Sequence, residues 1–430
     1  MRPNLFTKPK VLVLIIALVL CLSPTSDAYS VLTHEAVIDS EWDGVIKPLL
    51  LERYPNSTPA DLKKAHAFAY GGAIIQDMGY YPFGNKFFSD LTHYVRSADF
   101  IRALIRDSQN VDDYAFALGA LAHYVGDNDG HRIAVNRSVP LLYPKLRRKF
   151  GDVVVYDEDP AAHLKTEFGY DVLQVAKGHY APDNFRDYIG FQVANDLLAR
   201  AFKDTYCLDL KSIFTNYDLA IGTFRRSVSN VIPEMTKVAW QEKKSEIQKD
   251  QPGITERKFI FNLSRASYRK RWSEKYRSPG IGTRILAFLI RLIPKVGPFR
   301  ALSFRTPTPE AEQLFMVSFN ATIYDYRQIA KEQRDLGHLT IPNDNFDTGG
   351  VTGPGQYPLA DSTHAELVDR LDKDHFKTIS SQLRAVLLAY YSNLNLPFHT
   401  KHNKKEWKRV VGEIAELKQI TPAAPAAGSN

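Results

Sequence analysis

The sequence is most informative at Tyr114-Ala-Phe-Ala-Leu-Gly-Ala-Leu-Ala-His-Tyr-Val-Gly-Asp127, where apolar residues recur at helical spacing without a proline. His123 and Asp127 are four residues apart, so a helix places both side chains on one face at adjacent turns. An unpaired carboxylate is costly to bury in such an apolar helix, and a bound cation is one way to offset that cost. The alternative is a His–Asp hydrogen bond within a helix core.

A second pair and several single residues extend this pattern. His163 and Glu167 repeat the four-residue spacing on another apolar stretch. The candidate ligands between residues 29 and 167 are Tyr29, His34, Asp77, His93, His123, Asp127, His131, His163 and Glu167. Five histidines and three acids exceed the three or four protein ligands that a single zinc takes, so the sequence predicts two or three ions. Imidazole and carboxylate ligands without thiolate suit zinc best, with manganese and iron as alternatives.

The amino-terminal residues have the three parts of a secretory signal peptide. Basic residues precede an apolar run over 11–22 that is short for a membrane span, and Ser26 and Ala28 are the small residues that signal peptidase reads. This pattern predicts that residues 1–28 are a cleaved signal peptide, that Tyr29 begins the mature chain, and that the protein is secreted or periplasmic. A retained membrane anchor is the alternative.

Charge and cysteine content indicate what the mature chain can bind and what can stabilise its fold. Removal of residues 1–28 takes away three basic residues and one acid, which lowers the net charge from +7 to +5. A mildly basic protein attracts polyanions such as anionic lipid surfaces or nucleic acid. Cys207 is the only cysteine left after cleavage, so an intramolecular disulfide is excluded and packing or metal ions must stabilise the fold.

Periodic apolar runs and few strand signals predict an all-α fold. Runs at helical spacing lie at 65–75, 97–106, 114–125, 163–175 and 183–202. A polar stretch that ends at Gly253 suggests a boundary near residue 236. About 400 residues suffice for two or three domains. We therefore predict a multi-helix metal-binding domain over 29–235 and a basic, mostly helical C-terminal region over 236–420.

The C-terminal region holds one segment suited to membrane contact. Residues 281–294 are apolar, are interrupted by two arginines, and are too short to span a bilayer. Such a segment can lie on an anionic lipid surface, or it can pack its apolar side on the catalytic domain with its arginines in water. Residues 340–362 are predicted to form a long loop before a last helix at 376–393, and residues 421–430 a disordered tail.

Residues 29–235 resemble the zinc-dependent phospholipase C family in the order of the candidate metal ligands along the sequence. The all-helical fold of that family is shared with fungal-type zinc nucleases for single-stranded nucleic acid. The matching motifs are Tyr29-Ser-Val-Leu-Thr-His34, Asp77, Thr92-His93, His123-Tyr-Val-Gly-Asp127 and His163-Leu-Lys-Thr-Glu167. The resemblance implies three zinc sites, formed by Asp77, His93, His123 and Asp127, by Tyr29, His34 and a bridging Asp127, and by His131, His163 and Glu167. In this family the first residue of the mature chain binds zinc through its α-amine and carbonyl, and cleavage after Ala28 gives Tyr29 that position.

Two positions depart from the family pattern, and half of the chain has no counterpart. Family members usually begin with tryptophan rather than Tyr29, although the ligand atoms there are backbone atoms. The family's next histidine usually follows the aspartate of the HxxxD pair by six residues, where this chain has Ile133, and His131 comes two residues earlier. Either His131 reaches the third ion from a loop, or Asp129 replaces it, or the centre holds fewer ions. The C-terminal half matches no part of the toxin-like phospholipases.

The predicted centre is suited to hydrolysis of a phosphate ester. Two zinc ions bridged by a carboxylate, about 3.5–4 Å apart, lower the pKa of a shared water to about 7 and stabilise a phosphodiester as charge builds. By resemblance, Asp77 is the candidate to orient or deprotonate that water and Asp127 is the candidate bridge, so these two are the predicted catalytic residues. The expected substrate is a phospholipid, hydrolysed as by a phospholipase C.

Two other functions stay open on the sequence alone. A nuclease for single-stranded nucleic acid needs aromatic faces beside basic residues, and Tyr80, Tyr81, Phe83, Phe87 and Phe88 are candidates. An exported binding module would instead hold its zinc ions in closed coordination shells and hydrolyse nothing. The sequence indicates no obligate protein partner.

Overall fold

The computed structural model describes residues 29–177, 191–232, 303–336 and 338–421, with a few positions between 235 and 249. These residues form helices joined by turns and contain no β-strand, which confirms the all-α prediction. The α-helices are α1 (Val31–Glu41), α2 (Lys47–Arg53), α3 (Pro59–Gly72), α4 (Lys86–Tyr94), α5 (Ser97–Arg106), α6 (Val111–Asp129), α7 (Asn136–Leu142), α8 (Pro144–Phe150), α9 (Pro160–Ala176), α10 (Asn195–Tyr206), α11 (Leu210–Ile213), α12 (Tyr217–Arg226), α13 (Pro309–Leu336), α14 (Pro358–Asp372), α15 (Ser381–Tyr390) and α16 (Lys404–Gln419). The predicted signal peptide and the segment 281–294 lie outside the described residues, as does all but the first residue of the predicted tail.

Capping residues define the starts of the two helices at the centre of the fold. At α3, Thr58 and Asp61 form a reciprocal capping box and Pro59 takes the first helical position. At α6, the Asn110 side chain accepts a hydrogen bond from the backbone N–H of Asp113. Both helices are longer than the apolar periodicity alone predicts, because their caps lie outside the periodic stretch.

Two glycines allow α3 and α6 to pack with their backbones in contact. A Cβ at Gly119 would lie 2.1 Å from the carbonyl oxygen of Ala69, and a Cβ at Gly72 would lie 2.0 Å from that of Phe116. Any larger residue would force the two helices apart. This close approach brings the end of α3 next to the face of α6 that carries His123.

The long helix α13 packs the C-terminal region against the predicted metal-binding domain. The Tyr326 hydroxyl donates to the carbonyl oxygen of Leu118 at 3.1 Å, and Arg327 donates two hydrogen bonds of 2.8 Å to the buried carboxylate of Glu41. Apolar side chains of both regions form one continuous core. The domain boundary near residue 236 stays a prediction.

The helices of the C-terminal region differ in detail from those predicted. Residues 338–357 are irregular, but the loop ends where Pro358 begins α14. The predicted last helix was wrong in extent, since α15 covers only Ser381–Tyr390, and α16 follows it. Charged residues dominate the first turns of α16 and interrupt its apolar periodicity, and the sequence pattern therefore did not predict this helix. In the described part of the chain, no helix combines the length and apolar character that a membrane span requires.

Candidate metal centre

One group of predicted ligands surrounds the C-terminal part of α6, and we call it the first cluster. It consists of Asp77 on the 3₁₀-helix Ile75–Tyr80, His93 on α4, and His123 and Asp127 on α6. All four side chains are buried, and each offers a ligand atom within 4.8 Å of the others. His123 Nε2 lies 3.2 Å from Asp127 Oδ2, and His93 Nε2 lies 3.3 Å from Asp77 Oδ1.

Asp127 directs its two carboxylate oxygens to different sides. Oδ2 faces His123 and also lies 3.5 Å from His93 Nε2, whereas Oδ1 lies 3.3 Å from His34 Nε2. The His34 ring stacks on that of His123 with centroids 4.4 Å apart. Asp127 therefore lies between the first cluster and His34, which is the position that a carboxylate bridging two ions must take.

His131, His163 and Glu167 form a second cluster, with ligand atoms again within 4.8 Å of one another and all three side chains buried. α9 carries His163 and Glu167 on adjacent turns. His131 lies on a π-helical segment, Gly130–Val135, that continues α6, so its expected place on a loop was wrong. Of the alternatives considered for this position, the structure brings His131 next to His163, while Asp129 forms an ion pair with Arg132.

Backbone carbonyl groups fix which nitrogen three of the five imidazoles present to the site. Nδ1 of His123 bonds to the carbonyl oxygen of Ala73 at 2.9 Å, and Nδ1 of His93 bonds to that of Ser89 at 2.7 Å. His163 uses Nε2 in the same way, toward Val154 at 2.7 Å. The opposite nitrogens make no hydrogen bond and carry the free lone pair. Metal-binding histidines are oriented by this kind of second contact.

Burial keeps most of these imidazoles neutral. It lowers the pKa of His34 and of His131 to about 4 and that of His163 to about 3. Burial opposes ionisation of Asp127, but His123 and His34 hold the pKa of that carboxyl well below its usual range. At neutral pH the centre thus offers the neutral imidazoles of His34, His131 and His163 beside an ionised Asp127 carboxylate. Burial also opposes the charge on His93, but the Asp127 carboxylate raises the pKa of that ring. Neutral imidazoles and an ionised carboxylate are the forms to which a divalent cation binds.

The buried donor atoms fit a divalent cation better than a hydrogen-bond network. Both oxygens of Asp127, both nitrogens of His34 and both nitrogens of His131 make no hydrogen bond. Each such buried group costs about 1–3 kcal/mol when it stays unsatisfied. A tetrahedral zinc with bonds of about 2.0–2.2 Å places neighbouring donors about 3.3–3.6 Å apart. The observed separations around Asp127, 3.2–3.5 Å, agree with that spacing.

Tyr29, the first residue of the predicted mature chain, is buried beside this centre. Its hydroxyl donates to Ser318 Oγ at 2.8 Å and lies 3.3 Å from the hydroxyl of Thr322, both on α13. Its ring packs edge-on against the rings of His34 and Phe315, with centroids 5.8 Å away in each case. The C-terminal region therefore holds Tyr29, which lies two residues before α1, next to His34.

Sequence reasoning missed one carboxylate of the site, that of Asp347. It lies in the irregular segment before α14, is fully buried, and places Oδ1 3.5 Å from His131 Nε2. Burial raises the pKa of Asp347, and a hydrogen bond from Tyr357 opposes that rise. No spacing rule connects Asp347 with the helices that carry the other ligands. The only signal was the concentration of Asp and Asn at positions 343–345 and 347 inside the predicted loop.

The aromatic residues considered for base stacking are mostly core residues. Tyr80, Tyr81, Phe87 and Phe88 are buried, whereas Phe83 is 45% exposed. A stacking platform for single-stranded nucleic acid needs several exposed faces along one groove. The exposure of these five side chains therefore gives the nuclease alternative little support.

Comparison with protein families matches part of the chain. Residues 33–216 match the model of a family described as zinc dependent phospholipase C. The matched range includes His34 and both clusters, whereas Tyr29 and Asp347 lie outside it. No curated protein and no solved structure matches the chain.

Proposed function

Residues 33–216 belong to the zinc-dependent phospholipase C family, whose members are phosphodiesterase hydrolases, and from this premise we propose that the protein is an exported phospholipase C with two or three zinc ions. Its proposed substrate is a phospholipid, whose headgroup phosphodiester it hydrolyses with water. The observation that carries the proposal is the position of Asp127, which faces the first cluster with one oxygen and His34 with the other.

The proposed ligand sets are those that the family resemblance implies, and the grouping of the buried side chains into two clusters supports them. The first cluster would hold one ion, His34 and Asp127 with the α-amine and carbonyl of Tyr29 a second, and the second cluster a third. Bound zinc supplies an activated water near neutral pH and stabilises the negative charge of a phosphoryl group. Asp127 supplies the shared carboxylate, and the backbone contacts of His93 and His123 keep their Nε2 atoms directed at it.

We assign to Asp77 the orientation and deprotonation of the attacking water. Its Oδ1 lies 3.3 Å from His93 Nε2 and 3.9 Å from His123 Nε2, so its carboxylate belongs to the first cluster. A carboxylate at this position can orient a water and accept its proton. The role is inferred from the family resemblance and from this placement.

Family membership and the burial of the aromatic residues favour a lipid over a nucleic acid. The mature net charge of +5 attracts anionic surfaces. The segment 281–294, with its basic flanks, has the sequence of a peripheral membrane contact, and we propose that it approaches the bilayer. A phospholipase needs such an approach because its substrate is held in a membrane.

The test is a joint measurement of zinc content and hydrolysis on the mature chain that begins at Tyr29. The substrates are a soluble phosphocholine ester, phosphatidylcholine vesicles and single-stranded DNA, each with and without a chelator. We expect two or three zinc ions per chain and cleavage of the choline phosphodiesters that the chelator abolishes. Cleavage of DNA alone would support the nuclease, and bound zinc without any turnover would support the binding module.

A pair of variants separates catalysis from folding. Asp77→Asn should cost activity far more than thermal stability if Asp77 handles the water. The control is Asp112→Asn at the start of α6, where Asp112 forms a surface ion pair with Lys64. One added residue before Tyr29 should remove one zinc, because the α-amine is then displaced from the site.

A further inference from the structure

We infer that Asp347 is a metal ligand, which the C-terminal region supplies to the second cluster. The inference rests on the proposed metal centre and adds a fourth protein donor to His131, His163 and Glu167. It also gives the C-terminal region a chemical role, since Asp347 lies far outside the range that matches the family. Four protein donors are the usual number of a closed, structural zinc site.

The first observation is the position of the free carboxylate oxygen. Asp347 Oδ1 lies 3.5 Å from His131 Nε2, and both side chains are fully buried. Neither atom makes a hydrogen bond. Two unsatisfied donors at this separation match neighbouring ligands of one tetrahedral zinc, for which about 3.3–3.6 Å is expected.

The second observation is that the other oxygen of Asp347 is fixed. Oδ2 accepts a hydrogen bond of 2.8 Å from the hydroxyl of Tyr94 and a second one from the hydroxyl of Tyr357. Both hydroxyls are donors, so they orient the carboxylate and leave Oδ1 directed at His131 of the second cluster. Metal-binding carboxylates are commonly oriented by hydrogen bonds of this kind.

The third observation is that the backbone around Asp347 is attached to elements of both clusters. Asn136 Nδ2 donates to the Asp347 carbonyl oxygen at 2.8 Å, just after the segment that carries His131. The Phe346 N–H donates to the carbonyl oxygen of His93 at 3.3 Å, and the Phe346 ring lies 4.8 Å from the His93 ring. We call residues 345–350 the Asp347 loop, which is closed by a hydrogen bond of 2.9 Å from Asn345 N–H to the Gly350 carbonyl oxygen.

The sequence departure at Ile133 gives the additional ligand a physical reason. The family pattern places a histidine there, and this chain instead reaches the second cluster from His131 on a π-helical segment. A histidine at position 131 reaches the ion from a different direction than a histidine at position 133 would. The Asp347 loop supplies the donor on that side, beside His131.

The experiment measures zinc bound per chain, by inductively coupled plasma mass spectrometry, on the full mature protein at a buffered free zinc concentration that saturates the wild type. We expect Asp347→Asn to hold one zinc fewer than the wild type. The matched control is Asp344→Asn, in the same segment, because the Asp344 carboxylate bonds to the Tyr124 hydroxyl and not to the second cluster. Replacement of zinc by cobalt gives a second readout, since loss of a carboxylate ligand changes the visible absorption of that ion.

Tyr357→Phe keeps Asp347 but removes one of its two donors, and it serves if Asp347→Asn fails to fold. We expect it to weaken the binding of one ion by about 10–100-fold, the usual effect of losing such a supporting contact. Full zinc content and unchanged affinity in both variants would overturn the inference while the proposed centre stands. A wild type that binds no zinc would overturn the proposed centre and this inference together.

Discussion

The two clusters are built in different ways. The first cluster takes all its residues from elements between Asp77 and Asp127, and its histidines are oriented by carbonyl groups of neighbouring turns. The second cluster combines a π-helical segment, α9 and, in our inference, a loop from the far end of the chain. A metal site can therefore contain the local motifs of a known family and still depend on distant tertiary structure for one of its ligands.

Substitution of Asp127 should have the largest effect, because this residue serves the first cluster and His34 together. We expect Asp127→Asn to lose two zinc ions per chain, because two proposed zinc sites share this carboxylate. The value of kcat should fall by about a thousandfold or more, where each factor of ten corresponds to about 1.4 kcal/mol of transition-state stabilisation. Zinc content and turnover of a soluble phosphocholine ester check this. Asp112→Asn on the same helix should match the wild type in both. Loss of only one ion would show that Asp127 does not bridge.

Substitution of Glu167 should affect the second cluster alone. We expect Glu167→Gln to lose one zinc and to lower kcat by about 10–100-fold, a smaller loss of about 1.4–2.8 kcal/mol. The first cluster should keep its zinc, because Asp77, His93 and Asp127 are unchanged. The measurement is the same pair of assays. A loss of activity as severe as that of Asp127→Asn would remove the distinction between a reacting first cluster and a supporting second one.

The Asp347 loop can be strained without touching a ligand. Gly349 has φ +66°, and a Cβ there would lie 2.4 Å from the Asn128 carbonyl oxygen. We expect Gly349→Ala to destabilise the fold by about 1–2 kcal/mol, as a left-handed conformation costs other residues, and to weaken the binding of one zinc ion. Zinc titration and thermal denaturation measure the two effects.

The adjacent glycine gives the control for that strain. Gly350 has open space around its Cβ position and no positive φ, so Gly350→Ala should leave both quantities unchanged. Equal effects of the two alanines would mean that the loop responds to any added side chain. In that case its conformation would not control the second cluster specifically.

Helical periodicity predicted the local part of the site. The spacing of His123 and Asp127 and that of His163 and Glu167 follow from 3.6 residues per turn, and the structure places both pairs on helices. The prediction that His34 and Asp127 lie next to each other followed from the family resemblance and not from their spacing in the sequence. Their contact is tertiary, between α1 and α6.

The direction of His131 and the position of Asp347 could not be predicted. A π-helical turn has no reliable local sequence signature, and it changes the register of every side chain that follows it. Asp347 lies in an irregular segment, where no periodicity relates a residue to its neighbours in space. Its place is set by Tyr94, Asn136 and Tyr357, which come from three separate parts of the chain.

The smallest predicted effect concerns His364, a buried imidazole on α14 that lies outside both clusters. Its ring stacks on that of Tyr390 with centroids 3.6 Å apart. Burial lowers the pKa of His364 to about 4, whereas an unfolded chain keeps the ordinary value near 6.5. The unfolded state therefore binds the proton more tightly, so the stability gained by keeping this ring neutral is complete above about pH 6.5 and is lost as the pH falls toward 4.

His364→Phe keeps an aromatic ring against Tyr390 and removes the titration. We expect the thermal midpoint of the zinc-free variant to fall less steeply than that of the wild type between about pH 6.5 and pH 4, while its zinc content at pH 7 is unchanged. The remaining acid sensitivity then belongs to His34, His131 and His163, whose pKa values burial lowers in the same direction. Identical slopes for the two proteins would assign all of the acid sensitivity to other groups, with the buried imidazoles of the metal centre as the first candidates, because the unfolded chain binds protons to them more tightly than the folded chain does.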